Sequence, residues 1–212
     1  MFFEELEDVQ NVTDDVESMD DIGEVAPEAQ AMEGVESVEP APSMEIQAKE
    51  ISEVFLDHPE LQFENWQQLS PEERMEALQS FENEVAAIEH REALPVYEEP
   101  MQEGLLGYFT EADYSLHMNQ DLVESNDYEV YAKMMETFVH EGRHAYQYVN
   151  TLEGCQVEQN SEWVNVWTKN FDEGDWGYRT AAEYGYDDYY MQPIEVDARA
   201  FAEEAMESMG LR

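Results

Sequence analysis

One cysteine, Cys155, stands in 212 residues, which excludes an intramolecular disulfide framework and fits a reducing compartment. It follows Gly154, just past the end of a predicted helix, and reads as a structural residue behind a glycine cap. Positive charge is also scarce: nine Lys and Arg face 52 Asp and Glu, a formal net charge of -43. So few cations cannot neutralise a phosphate backbone, which argues against nucleic-acid binding. No run is long and apolar enough for a membrane span, and the N-terminus lacks the positive charge and apolar core of a signal peptide. The expectation is a cytoplasmic protein without membrane contact, with export by a signal-less route left open. No internal repeat is visible, and oligomeric state cannot be read.

Residues 1–48 contain no Lys or Arg and are crowded with Asp, Glu, Ser, Pro and Ala. Such a segment cannot bury enough apolar surface to offset its ordering entropy. Residues 1–45 are therefore expected to form an acidic, disordered tail, and 46–212 a single domain large enough for one core. Val9, Val12, Val16 and Met19 carry a faint helical stripe that a partner would have to cover. The acidity persists beyond the tail. It admits salt adaptation, a basic partner or mimicry of DNA, and an acidic cleft would steer cationic peptides to itself.

The most informative residues are His140, Glu141 and His144, an HExxH motif inside Met134-Met-Glu-Thr-Phe-Val-His-Glu-Gly-Arg-His-Ala-Tyr-Gln147. On a helix, residues four apart share a face, so both imidazoles reach one metal ion. Glu141 lies roughly 100° round the helix and flanks the ion without having to bind it. That is where a general base for a metal-activated water belongs. Met134, Met135, Phe138, Val139, Ala145 and Val149 make the helix substantially buried. Buried imidazoles need partners, and a metal satisfies both at once.

A third ligand is sought downstream, in Gln192-Pro-Ile-Glu-Val-Asp-Ala-Arg-Ala-Phe-Ala. Pro193 suits a helix start. Behind it Glu195, Ala198 and Ala202 share one face, a carboxylate followed by small residues that allow close approach to a metal helix. Glu195 is the expected third ligand, which completes a His–His–Glu set for zinc with one position left for water. Asp197 competes for that place, but it points to another side of the helix and better suits a supporting or capping role. Glu203 and Glu204 read as solvated charge.

These two motifs, His-Glu-Gly-Arg-His-Ala-Tyr-Gln and Glu195-x-x-Ala198-x-x-Phe201-Ala202, resemble the short zincin metallopeptidases of gluzincin type. That group includes ImmA/IrrE-like peptidases and the metallopeptidase domains of phages, mobile elements and polymorphic toxins. The resemblance covers roughly residues 60–205 and is specific only in the two helical motifs. It implies an α+β fold, mainly helical with a small sheet beside the metal helix. It also implies zinc on His140, His144 and Glu195, and Glu141 as the catalytic base.

Two short strands are expected within 104–119, at 105–109 and 114–118, around a turn at 111–113. The resemblance makes 114–118 the strand beside which an extended substrate adds. An ordinary structural hairpin is the equal alternative. His117 either lines that cleft or packs half-exposed. Ser70-Pro-Glu-Glu73 starts a helix expected to run to about residue 92. Residues 164–190, rich in Tyr, Trp, Asp and Gly, lack helical periodicity and are expected to loop beside the site. Within them Tyr178, Tyr184, Tyr186, Tyr189 and Tyr190 are candidate donors to a developing oxyanion. Two functions follow: a zinc peptidase acting on one or a few protein or peptide targets, basic ones being favoured by charge, or an acidic decoy that docks on a basic surface.

Overall fold

The computed structural model describes residues 2–6, 40–171 and 177–212, the first of these as backbone only. The fold is α+β, mainly helical, with one small sheet. Helix α1 (Met44–Asp57) leads through a short turn to α2 (Phe63–Trp66) and α3 (Pro71–Ile88). Ser70 caps α3 in a full capping box. Its hydroxyl accepts from the Glu73 N–H at 3.3 Å, and the Glu73 carboxylate accepts from the Ser70 N–H at 2.8 Å. The helix stops at Ile88, sooner than the expected residue 92. His90 adopts a left-handed φ of 55°, and the reversal brings the buried Arg91 back onto Glu82 and Glu89.

Strands β2 (Val96–Glu99), β3 (Leu105–Thr110) and β4 (Ser115–Asn119) follow. β3 and β4 form the expected antiparallel pair, with Phe109 opposite Leu116. β2 runs parallel to β4 on its other side. The strand expected to receive a substrate is therefore interior, which corrects that expectation: β2 already holds its second edge. β1 (Phe2–Leu6) pairs antiparallel with the outer edge of β3, Phe3 facing Phe109. It lies within the segment read as an acidic tail. The remainder of that segment up to residue 39, including the stripe from Val9 to Met19, falls outside the described residues.

After α4 (Gln120–Val123) comes the longest helix among the described residues, α5 (Tyr128–Thr151), capped by the Asp127 carboxylate, which accepts from the Glu129 and Val130 N–H groups. One face of α5 packs on the sheet. At Gly107 a Cβ would lie 2.9 Å from both the His117 carbonyl oxygen and Thr137 Cγ2, so only glycine lets helix and sheet come this close. Another face meets α3, where Phe81 stacks on Phe138 with ring centres 5.7 Å apart. Helix α6 (Ser161–Phe171) occupies ground expected to be loop, with Val164, Trp167 and Asn170 buried one turn apart. Short helices α7 (Ala181–Tyr184) and α8 (Tyr186–Tyr190) lead into α9 (Pro193–Met209). α9 packs between α1 and α5 through Ala198, Phe201, Ala202 and Ala205, all nearly inaccessible. Small side chains at this contact bring the axes together, as the sequence pattern predicts. Among the described residues, no helix is long and apolar enough to cross a membrane.

Candidate metal centre

The close contact of α5 and α9 brings His140, His144 and Glu195 together. His140 Nε2 and His144 Nε2 lie 3.1 Å apart. His140 Nε2 is 3.2 Å from Glu195 Oε2, and His144 Nε2 is 3.4 Å from Glu195 Oε1. Ligand atoms held at ordinary zinc distances in a tetrahedron are about 3.3 Å from one another. The two imidazole nitrogens, each with a different Glu195 oxygen beside it, thus stand at spacings that one metal ion could bridge. All three residues are buried, so this is no solvated cluster of polar groups.

The hydrogen-bond network fixes which nitrogen of His144 bears the proton. The Gln147 side-chain NH2 donates to the Asp197 carboxylate at 2.7 Å and to the Ile194 carbonyl at 2.9 Å. Its carbonyl oxygen must then face His144 Nδ1, 2.8 Å away, and can only accept there. His144 consequently carries its proton on Nδ1 and aims the Nε2 lone pair at His140 and Glu195. A proton or a cation has to sit between those groups. Burial alone would push the Glu195 carboxyl up, but the imidazoles of His144 and His140 outweigh it and hold the group well below the ordinary carboxylate range. Tyr178 donates to Glu195 Oε1 at 3.1 Å and steadies the carboxylate.

Asp197 does not join the three. Arg143 donates to its Oδ2 from Nε at 2.9 Å, and Gln147 donates to the same oxygen at 2.7 Å. Arg143 also reaches Gln47 of α1 at 3.1 Å and lies over the Phe201 ring, 4.6 Å from its centre. The expected supporting role of Asp197 has this concrete form: it anchors the amide that orients His144. Sequence reasoning missed Gln147 and Arg143, although both lie in or beside the motif. Partners that orient a metal-binding imidazole affect affinity strongly, so Gln147→Ala is expected to weaken zinc binding by about 10- to 100-fold. A competitive chelator titration measures this, and an unchanged affinity would remove Gln147 from the centre.

Glu141 is buried on the neighbouring face of α5. Its Oε2 accepts from the Phe109 N–H of β3 at 2.8 Å. A carboxylate oxygen of Glu141 and one ligand atom from each motif histidine lie within 4.8 Å of one another. The carboxylate is thus beside the two histidines and bonded to the sheet. Among the tyrosine candidates, Tyr178 contacts Glu195, Tyr186, Tyr189 and Tyr190 line a cavity that reaches His140 and Glu195, and Tyr184 is exposed.

The other histidines stand apart from the centre. His58 lies between Glu60 and Glu84, each 2.8 Å away. His117 stacks on Tyr108 with ring centres 4.6 Å apart. Its Nε2 is 3.0 Å from Ser115 Oγ and its Nδ1 3.3 Å from Glu99, the order of groups in a serine nucleophile relay. The Ser115 hydroxyl, however, donates to Asp113 at 2.5 Å and the residue is only 1% exposed, so the row has no available nucleophile. No family model, curated protein or solved structure matches this chain.

Proposed function

We propose that this protein is a zinc-dependent peptidase hydrolysing peptide bonds in one or a few protein targets. The observation that carries the reading is the meeting of His140 Nε2, His144 Nε2 and the two Glu195 carboxylate oxygens at 3.1 to 3.4 Å, with Glu141 next to His140 on the same helix. The donor set, two neutral imidazoles and one carboxylate, fits a catalytic zinc centre better than a structural one, which would use four protein ligands. When bound, the metal supplies Lewis acidity toward a water and a peptide carbonyl. The chain's own groups do the rest. Glu141 accepts the proton of the attacking water and delivers it to the leaving amine. The Phe109 N–H holds that carboxylate at its post, Gln147 and Asp197 keep the His144 tautomer, and Tyr178 orients Glu195. Resemblance of the two helical motifs to short gluzincin peptidases supports the same assignment.

The test is metal-dependent cleavage. Purified protein loaded with one equivalent of zinc is expected to cut a protein digest at a limited set of bonds, lose this under a chelator and regain it on zinc repletion. Cleavage indifferent to chelation would sink the proposal. A second reading, an acidic protein that docks on a basic surface, draws on the net charge of -43. It predicts capture of a basic partner with no hydrolysis.

A further inference from the structure

The strongly negative charge of the whole chain does not carry over to the site itself, where three cations stand among three carboxylates. A cavity of about 570 Å³ opens beside His140 and Glu195, between α5, α8 and α9, and its wall includes Lys133, Arg199 and Arg212. Three of the chain's nine Lys and Arg therefore line one cavity in a protein with 52 acidic residues. Other cations have structural work: Arg74, Arg91 and Arg143 are buried. Two carboxylates on the cavity wall, Glu136 and Glu203, engage Lys133 and Arg212. Arg199 is placed differently. Its Nη1 is 3.8 Å from Glu195 Oε2, so among the described residues its ion pair is with the expected metal ligand itself.

The guanidinium of Arg199 is held in a fixed plane. It stacks on the Tyr190 ring, 3.6 Å from the centre, and donates to the Tyr190 carbonyl oxygen. Its side chain is one quarter exposed, with part of its five-donor fork left for a ligand. Such a planar, pre-oriented fork matches a carboxylate in bidentate fashion. A divalent ion on Glu195 would neutralise that carboxylate and leave the Arg199 charge to be answered from the cavity. Remote acidic residues repel anions, but at physiological salt that field is screened beyond about 8 Å, whereas a contact pair is not.

Resting on the peptidase reading, we propose that this cavity is the specificity site and that Arg199 anchors a substrate carboxylate on a residue flanking the cleaved bond. One residue of extended chain spans about 3.3 to 3.6 Å, comparable to the separation of Arg199 from the ligand carboxylate. The carboxylate belongs either to an acidic side chain or to the peptide's C-terminus. The acidic chain would then process acidic substrates, against the expectation drawn from net charge.

The experiment uses zinc-loaded full-length protein carrying Glu141→Gln, so that bound peptides survive. Randomised N-acetyl hexapeptides are offered at 0.15 M salt in free-acid and C-amidated forms, and with Glu or Gln fixed at each position. Retained species are counted by mass spectrometry. Carboxylate-bearing peptides are expected to be retained at least ten-fold over their amide counterparts. Free-acid preference identifies the C-terminus, Glu-over-Gln preference the side chain. Adding Arg199→Gln should abolish the preference, and Arg199→Lys, which keeps the charge but loses the fork, should restore part of it. Zinc content is measured on each protein. If Arg199→Gln lowers it, the Arg199→Lys comparison decides, and an undiminished preference there overturns the proposal. Equal retention, no retention, or preference for Lys- and Arg-containing peptides also overturns it. A preference in a protein whose parent hydrolyses nothing would sink the peptidase reading alone. Hydrolysis indifferent to substrate charge would sink this inference alone.

Discussion

Replacing Glu141 by Gln is expected to leave zinc content and melting temperature unchanged while lowering peptide turnover by about 10²- to 10⁴-fold, the usual worth of a positioned general base. The geometry makes this substitution unusually clean. The Glu141 carboxylate accepts from the Phe109 N–H at 2.8 Å. A glutamine amide oxygen accepts from the same N–H, so the side chain keeps its place. What disappears is the capacity to take a proton. Glu141 is also inaccessible to solvent, and removing a buried charge does not destabilise a fold by itself. Turnover is followed on any peptide the wild type cleaves, with zinc measured in the same sample. Wild-type rates in the variant would remove Glu141 from the chemistry and turn attention to the docking reading. Loss of zinc together with rate would mean that the carboxylate is a ligand after all.

How much of this is visible in the sequence depends on whether the relevant contacts lie within one helix. His140, Glu141 and His144 sit on a single helical repeat, so their spacing alone brings them together. Glu195 is legible because small residues follow it on the same face, and α9 does approach α5 through Ala198 and Ala202. The strand expected at 114–118 forms one residue later, at Ser115–Asn119 with Tyr114 in a left-handed turn, and its position in the sheet is not legible. β2 has only four residues, two of them Glu, and prolines on both sides, so no periodicity announces that it covers that edge. α6 escapes notice because its buried face carries Val164, Trp167 and Asn170, a stripe with a polar member. The network from His144 through Gln147 to Asp197 and Arg143 spans more than fifty positions. A total charge likewise averages away the gathering of Lys133, Arg199 and Arg212 at one cavity.

Removing a ligand tests the centre independently of any substrate. Wild-type protein is expected to carry about one zinc per chain, and the ion should contribute to folded-state stability because the site forms only in the fold. With free zinc near a thousand times the dissociation constant, that contribution is about 4 kcal/mol. For a chain of this size it corresponds to roughly 8 to 16 °C in melting temperature. His144→Ala and Glu195→Ala should each lose the metal and melt near the chelated wild type. A chelator added to either variant should then change little, and this non-additivity separates a ligand from a residue that merely packs. Acidification has a defined sign. The Glu195 carboxyl is held below its ordinary range by the neighbouring imidazoles, in excess of the opposing effect of burial. Its contribution is therefore fully present above the ordinary carboxylate range and is lost progressively as the pH falls from that range toward the depressed folded value. Metal binding requires the imidazoles neutral and fails on acidification as well, so the zinc-dependent part of the melting temperature should shrink as the pH is lowered. Full occupancy in Glu195→Ala would reassign the third ligand. Asp197 would be the first alternative, although its carboxylate is already bound by Arg143 and Gln147, and recruiting it would cost His144 its orientation.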